Sequence, residues 1–225
     1  MQLLKKKSLG YVFREVLLIF IGITCAIWFN NWNESKKERL SEIETLKEIQ
    51  KAIQQDYNDI EGNVNYYKGS ITLYNLILQE IEQQKIASEE VLKRLVYIKG
   101  YAVFVSNVGP YETLKSRGLE KITNADIRLE ISSLYDVKYE AYLSVEETMK
   151  EHYFNYIKPK TMTIFDFGNN KTPIHYNNLK NDYAFTQSLY WAVNLSNNMV
   201  TRSKTIMENI KHLQKSIEDE INKLQ

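Results

Sequence analysis

The residues to weigh first as chemistry are the three histidines, His152, His175 and His212. Imidazoles hold zinc when they come in pairs at close helical spacing, with a carboxylate nearby. These three fall on separate segments without that spacing, so only the fold could gather them around a metal. Glu146, Glu147 and Glu151 stand beside His152 and read as a solvated polar face of a helix. Asp166 with Asn169 and Asn170 is rich in oxygen but lacks the alternating aspartates of a calcium loop, so turn chemistry accounts for it. Glycine-rich phosphate loops and a Gly-x-Ser-x-Gly elbow are missing. Arg117, directly before Gly118, can offer its guanidinium to an anionic ligand or to a neighbouring carboxylate. No catalytic set, metal or cofactor is therefore expected, and the chain reads as non-enzymatic. A metal-dependent hydrolase is the least favoured alternative.

The strongest signal lies elsewhere. Val16 to Phe29 is an apolar run, extended upstream by Tyr11 to Phe13 across Arg14 and Glu15, and followed at once by Asn30-Asn-Trp-Asn-Glu34. From Tyr11 to Phe29 there are 19 residues, which as a helix cover about 28 Å, close to the hydrocarbon core of a bilayer. Trp28 and Trp32 are one turn apart, as interfacial aromatic residues are, and bulky Ile27, Trp28 and Phe29 leave no small-residue cleavage site. An uncleaved transmembrane anchor over 11–32 is expected in preference to a cleaved signal or a core helix. Lys5, Lys6, Lys7 and Arg14 precede it, Lys36, Lys37 and Arg39 follow it, and the polar exit favours a cytoplasmic N-terminus. Residues 1–10 then form a cytoplasmic tail, and 33–225 an extracytoplasmic part. Glu15, Gly22 and Ala26 are the candidates for contact between membrane helices, the last two as a small-xxx-small pair.

The elements beyond the anchor read as helices. Eight glycines and three prolines in 225 residues leave long stretches unpunctuated. Apolar residues recur every seven positions at Leu46, Ile53, Ile60, Tyr67, Tyr74 and Ile81, with a companion series at Ile43, Tyr57, Val64, Ile71 and Leu78. Gly62 and Gly69 are places where that helix could bend or break. A second run joins Leu189, Ser196, Ser203, Ile210, Ile217 and Leu224 to Val193, Val200, Met207 and Ile221, with Asn181 and Asp182 as caps. Its serines suit close packing against bulky neighbours. Between the runs lie shorter helices, with Ser88, Pro110, Gly118 and Asn124 as boundary residues. Pro159 is expected to stop the last of them, and Thr161 to Phe165 has strand character. The fold class is thus all-α: one N-terminal transmembrane helix continuing into a long antiparallel helical bundle.

The order of basic tail, apolar span, Asn30 to Glu34, Leu114-x-Ser116-x-Gly118, Ile122-Thr-Asn124 and Leu129 to Tyr135 resembles a family of uncharacterised single-span membrane proteins of Bacteroidota. The resemblance implies a bacterial inner-membrane protein, single-pass, with its bulk in the periplasm, and implies no activity. A net charge of +1 carries no field that would favour nucleic acid. The expected role is that of an interaction or scaffold protein of the cell envelope, with the membrane and a protein partner or its own copies as partners. A ligand-sensing bundle signalling through lateral contacts of its span is the alternative. Phe165, Phe167 and Tyr176 on the 160–180 loop, together with Arg117, are the candidate partner-binding residues.

Overall fold

Residues 9–83, 88–98, 100–164 and 181–225 are described by the structure, a computed structural model. Among them there is no strand. Helix α1, Leu9–Glu82, runs without interruption for 74 residues. It passes straight through Gly62 and Gly69, and Gly69 lies directly beneath the Tyr97 ring, where a side chain would collide. Along α1 the surroundings change once. From Tyr11 to Ser41 the helix is exposed apart from half-buried Asn33, and from Glu42 onwards one face is buried.

The buried face carries Leu46, Ile53, Ile60, Tyr67, Tyr74 and Ile81, the series expected from the seven-residue spacing. Of the expected companion series Ile43, Val64 and Leu78 are buried and Tyr57 and Ile71 half-exposed, while a further series, Ile49, Asp56, Asn63, Ser70 and Ile77, is buried throughout. Helix α7, Tyr183–Leu224, shows the same pattern. Leu189, Ser196, Ser203, Ile210 and Ile217 are buried, and Leu224 is half-exposed; Ala192, Met199, Ile206 and Leu213 are buried beside them, while of the expected companions Ile221 is buried and Val193, Val200 and Met207 are half-exposed. A helix seated against more than one neighbour needs a wider buried stripe than a two-helix seam, so its centre shifts.

Helices α1 and α7 lie side by side in opposite directions. Gln50 donates to the Gln214 carbonyl near one end, and Tyr190 donates to Glu82 near the other. Asp182 caps α7 by accepting from the Phe185 N–H at 3.0 Å, and Lys160 holds that carboxylate at 2.5 Å.

The intervening chain begins with α2, Glu89–Arg94, opened by the Ser88 hydroxyl, which accepts from the Val91 N–H. A 3-10 turn over Leu95–Ile98 follows. Residues 100–108 carry no helix. Next come α3, Gly109–Arg117, with Pro110 in its first turn, and a 3-10 turn, Leu119–Lys121. Asn124 caps α4, Ala125–Ser133, accepting from the Asp126 and Ile127 N–H groups. From Ala125 the chain stays helical to Ile164, through α5, Glu140–His152, and α6, Lys158–Ile164. Two π-helical stretches, Leu134–Tyr139 and Tyr153–Ile157, interrupt the α geometry.

Pro159 therefore lies inside a helix and does not stop it, and Thr161 to Ile164 is helical where strand character was expected. The second π stretch supplies the reason. Lys158 N–H donates to the Tyr153 carbonyl, one residue further back than in an α-helix. The widened turn makes room at the carbonyls that a proline ring would crowd and leave without a donor.

Gly118 closes α3 with φ of 99° and ψ of 124°, and a Cβ there would meet the Glu120 carboxylate. Gly118→Ala is expected to destabilise the protein by about 1–3 kcal/mol, because only glycine adopts that backbone region cheaply. Urea unfolding of the detergent-solubilised chain measures it.

Candidate functional site

Segment 100–108 runs along α1 as a strap without helix, and among the described residues no strand lies beside it to bond its backbone. Side chains take that role. Asp56 accepts from the Asn107 N–H at 2.7 Å, Asp59 from the Val105 N–H at 3.1 Å, and Glu146 from the Phe104 N–H at 2.8 Å. Asn63 donates to the Val103 carbonyl, and the Tyr67 hydroxyl to the Ala102 carbonyl. Ala102 and Phe104 are buried while Val103 and Val105 are exposed, and backbone covered by packing must be satisfied in this way or lose the bonds it made to water.

Asp56, Asn63 and Ser70 repeat every seven residues because a helix face returns to register at that spacing. Ser70 instead bonds back to the Tyr66 carbonyl of its own helix. The same interval that gave the apolar seam therefore carried the strap-holding residues, and a polar member in an otherwise apolar frame was the signal to follow.

Around Asp56 the packing is aromatic. Its carboxylate, 1% exposed, also accepts from the Tyr139 hydroxyl at 2.9 Å. Phe104 turns its ring edgewise to Tyr139 and Tyr142, with centroids 5.0 and 5.4 Å away. Tyr135 stacks on Tyr111 at 4.5 Å, and Tyr111 donates to Asp136 at 2.5 Å. Burial pushes the Asp56 and Glu146 carboxyls above the ordinary carboxylate range, against the pull of the N–H groups they accept. The tyrosine hydroxyls are pushed up as well, Tyr142 to about 12, so they stay protonated as donors. Every partner of Asp56 is the chain itself, and the arrangement holds a strap in place.

A small cavity lies at the start of the strap, lined by Tyr66, Tyr74, Gly100, Met149, His152 and Ser196, among others. Its free volume is about 10 Å³, room for one water at most. Among the described residues the buried Ser196 hydroxyl finds no hydrogen-bond partner there, whereas Ser203, one heptad on, donates to Tyr142 at 3.3 Å. Ser196→Ala is expected to raise stability by up to about 1 kcal/mol, since it removes a desolvated donor that bonds none of the described residues. Ser203→Ala, compared in the same melting experiment, should lower it.

Glu146 and His152 correct the expectation of a solvated face: both are buried, while Glu147 and Glu151 remain exposed. His152 donates from Nε2 to the Ser188 carbonyl at 2.9 Å, and burial holds its imidazole below the ordinary 6.5. The folded state thus prefers the neutral ring. Its contribution to stability is complete above 6.5 and is lost as pH falls from there through the folded-state value. His152→Gln should flatten the part of the stability profile below the ordinary 6.5 that the wild type loses to this proton. Unfolding titrations at each pH, wild type against variant, measure the difference.

The other candidate residues are dispersed. His212 is exposed, 3.2 Å from Glu130, and far in sequence from His152, while His175 lies outside the described residues. Among the described residues no three metal-ligating side chains converge. Arg117 is exposed at the end of α3. Phe165, Phe167 and Tyr176 lie outside the described residues, but the helices that flank them expose Tyr156, Met162, Tyr183 and Trp191. Glu15, Gly22 and Ala26 lie on the exposed stretch of α1, and a Cβ on Gly22 would meet nothing. That stretch contains an 18-residue window of mean hydropathy 2.0 with none of it buried, long and apolar enough to cross a membrane.

One family model matches, over residues 15–178, and it describes a family of unknown function, DUF6090. No curated protein and no solved structure matches the chain.

Proposed function

We propose that this chain, which belongs to the DUF6090 family of unknown function, is a membrane-anchored, non-enzymatic interaction protein of the cell envelope. Residues 11–32 of α1 span a bacterial inner membrane with the N-terminus in the cytoplasm, and 33–225 form a periplasmic antiparallel helical bundle. The observation that carries this reading is the single change of environment along α1. One unbroken helix leaves an apolar stretch whose side chains are exposed and enters a core at Glu42. An apolar helix with no protein cover needs lipid, and a rigid continuation into the body fixes how the body stands on the membrane.

The interaction surface is the far end. From Trp32 to Glu82 the helix rises roughly 75 Å. There Tyr183 and Trp191, 75% and 52% exposed, sit on α7 near Tyr156 and Met162 in sequence-flanking elements. Large aromatic side chains left open to water at one end suit recognition of a protein partner or a second copy. The test is affinity purification of the full chain from membranes after in-cell cross-linking, wild type against a Tyr183→Ala, Trp191→Ala double variant. The expected result is a partner lost in the variant with helicity unchanged. An unaltered set of partners would reject this surface, and a C-terminal reporter active only in the cytoplasm would reject the orientation.

A further inference from the structure

Where α1 would leave the bilayer there is a half-open cleft of about 640 Å³. It lies between the base of α1, the 3-10 turn at Leu119–Lys121, and the end of α7. We propose that this cleft binds the headgroup of a zwitterionic phospholipid bearing a primary amine, a phosphoethanolamine. The inference rests on the reading of α1 as a membrane span.

Height comes first. With Trp32 at the hydrocarbon boundary, the lining residues Lys37 and Arg39 start about 8–11 Å above it, at the outer side of the headgroup layer. Side chains on a helix lean towards its N-terminus, which on α1 means towards the membrane, and both are long enough to reach phosphate depth. Trp32 and Phe29 are in ring contact just below, and Lys36 sits 5.8 Å over the Trp32 ring, so the boundary is marked by aromatic and cationic groups together.

Charge comes second. Lys37, Arg39 and Lys121 line the cleft with Glu38, Glu42 and Glu120. Glu42 is already used, accepting from the N–H and hydroxyl of Thr123, and Lys121 lies 3.9 Å from Glu38. An anionic headgroup would be drawn to the cations but repelled by two carboxylates. A phosphate joined to an ammonium matches both signs, and an ammonium with N–H donors can bond Glu38 and Glu120 where a trimethylammonium cannot.

The experiment uses the full chain in nanodiscs of mixed lipids with matched acyl chains, followed by native mass spectrometry of the retained lipid. Phosphatidylethanolamine should be retained about tenfold over phosphatidylcholine and phosphatidylglycerol, the effect of one added charge-assisted bond. Arg39→Gln with Lys121→Gln should abolish retention. Glu38→Gln with Glu120→Gln should erase the preference for the amine while phosphate-bearing lipids are still held. Equal retention of all three lipids, or retention indifferent to these exposed-site variants, overturns the proposal. So does free phosphoethanolamine binding lipid-stripped protein as tightly as the lipid does, which would assign the cleft to a soluble amine. Carbonate extraction run alongside separates the two readings: release of the wild type from membranes rejects the span itself, whereas retention with no lipid preference rejects only the cleft.

Discussion

Asp56→Ala is expected to lower the unfolding free energy by about 2–3 kcal/mol, because it leaves one buried and one half-buried donor unpaired, the buried one at a cost of roughly 1–3 kcal/mol. Those donors are the Asn107 N–H at 2.7 Å and the Tyr139 hydroxyl at 2.9 Å. Tyr139, 2% exposed, cannot turn to water, whereas Asn107 is half-buried, with Glu146 and Asp59 holding the strap just before it. Asp56→Asn keeps an acceptor oxygen and should lose less than half as much. Its pH behaviour is the sharper check. Burial raises the Asp56 carboxyl, so the folded state binds that proton more tightly than the unfolded chain does. The group therefore favours folding at acid pH, and that contribution is lost as pH rises from the ordinary 3.8 through the raised value. The wild type's advantage over Asp56→Asn should be largest at low pH and shrink to a plateau above that window. Urea titrations of the solubilised chain across pH give both numbers, and an advantage that grows with pH would contradict the burial assigned to this carboxyl.

Much of this architecture was legible because it depends on one-dimensional regularities. The apolar run to Phe29, the seven-residue series from Leu46 to Ile81, and the caps Asn124 and Asp182 each express a local rule that the helices obey. Pro159 was misread because its effect depends on the turn before it, and a π turn that accommodates the ring has no signature in the proline itself. Glu146 and His152 were misread for a different reason. A polar residue on a helix is solvated by default, and it is long-range packing that buries these two, the strap 42 residues away in sequence over Glu146 and Ser188 of α7 against His152. The seam of α7 turned by one position because its width is set by α1 and α5 together, which no single helix encodes. The candidate site was the least legible part: its polar residues hold backbone, and backbone acceptors and donors carry no residue type to recognise.

Phe104→Ala should cost about 3–5 kcal/mol, the range for deleting a buried phenyl ring, and how it does so tests whether the strap is part of the core or a cover over it. The ring is 4% exposed and packs edgewise on Tyr139 and Tyr142. Its backbone N–H is the one that Glu146 holds. Truncation therefore opens a void beneath the strap while leaving all three carboxylate bonds chemically possible. If the strap is integral, α1 near Ile60 and α5 near Tyr142 lose hydrogen-exchange protection together with residues 100–108, in step with the fall in global stability. If it is a cover, only 100–108 exchanges faster and the loss stays under about 1 kcal/mol, the scale of a local opening. The continuous core that joins Phe104 to Ile60, Tyr67, Tyr139 and Met199 favours the first outcome. Combined with Asp56→Ala, the loss should fall short of the sum, because either change alone releases the contacts that the other would remove. Additive losses would mean that the ring and the carboxylate act on the strap independently, and the strap would then be two attachments rather than one cooperative unit.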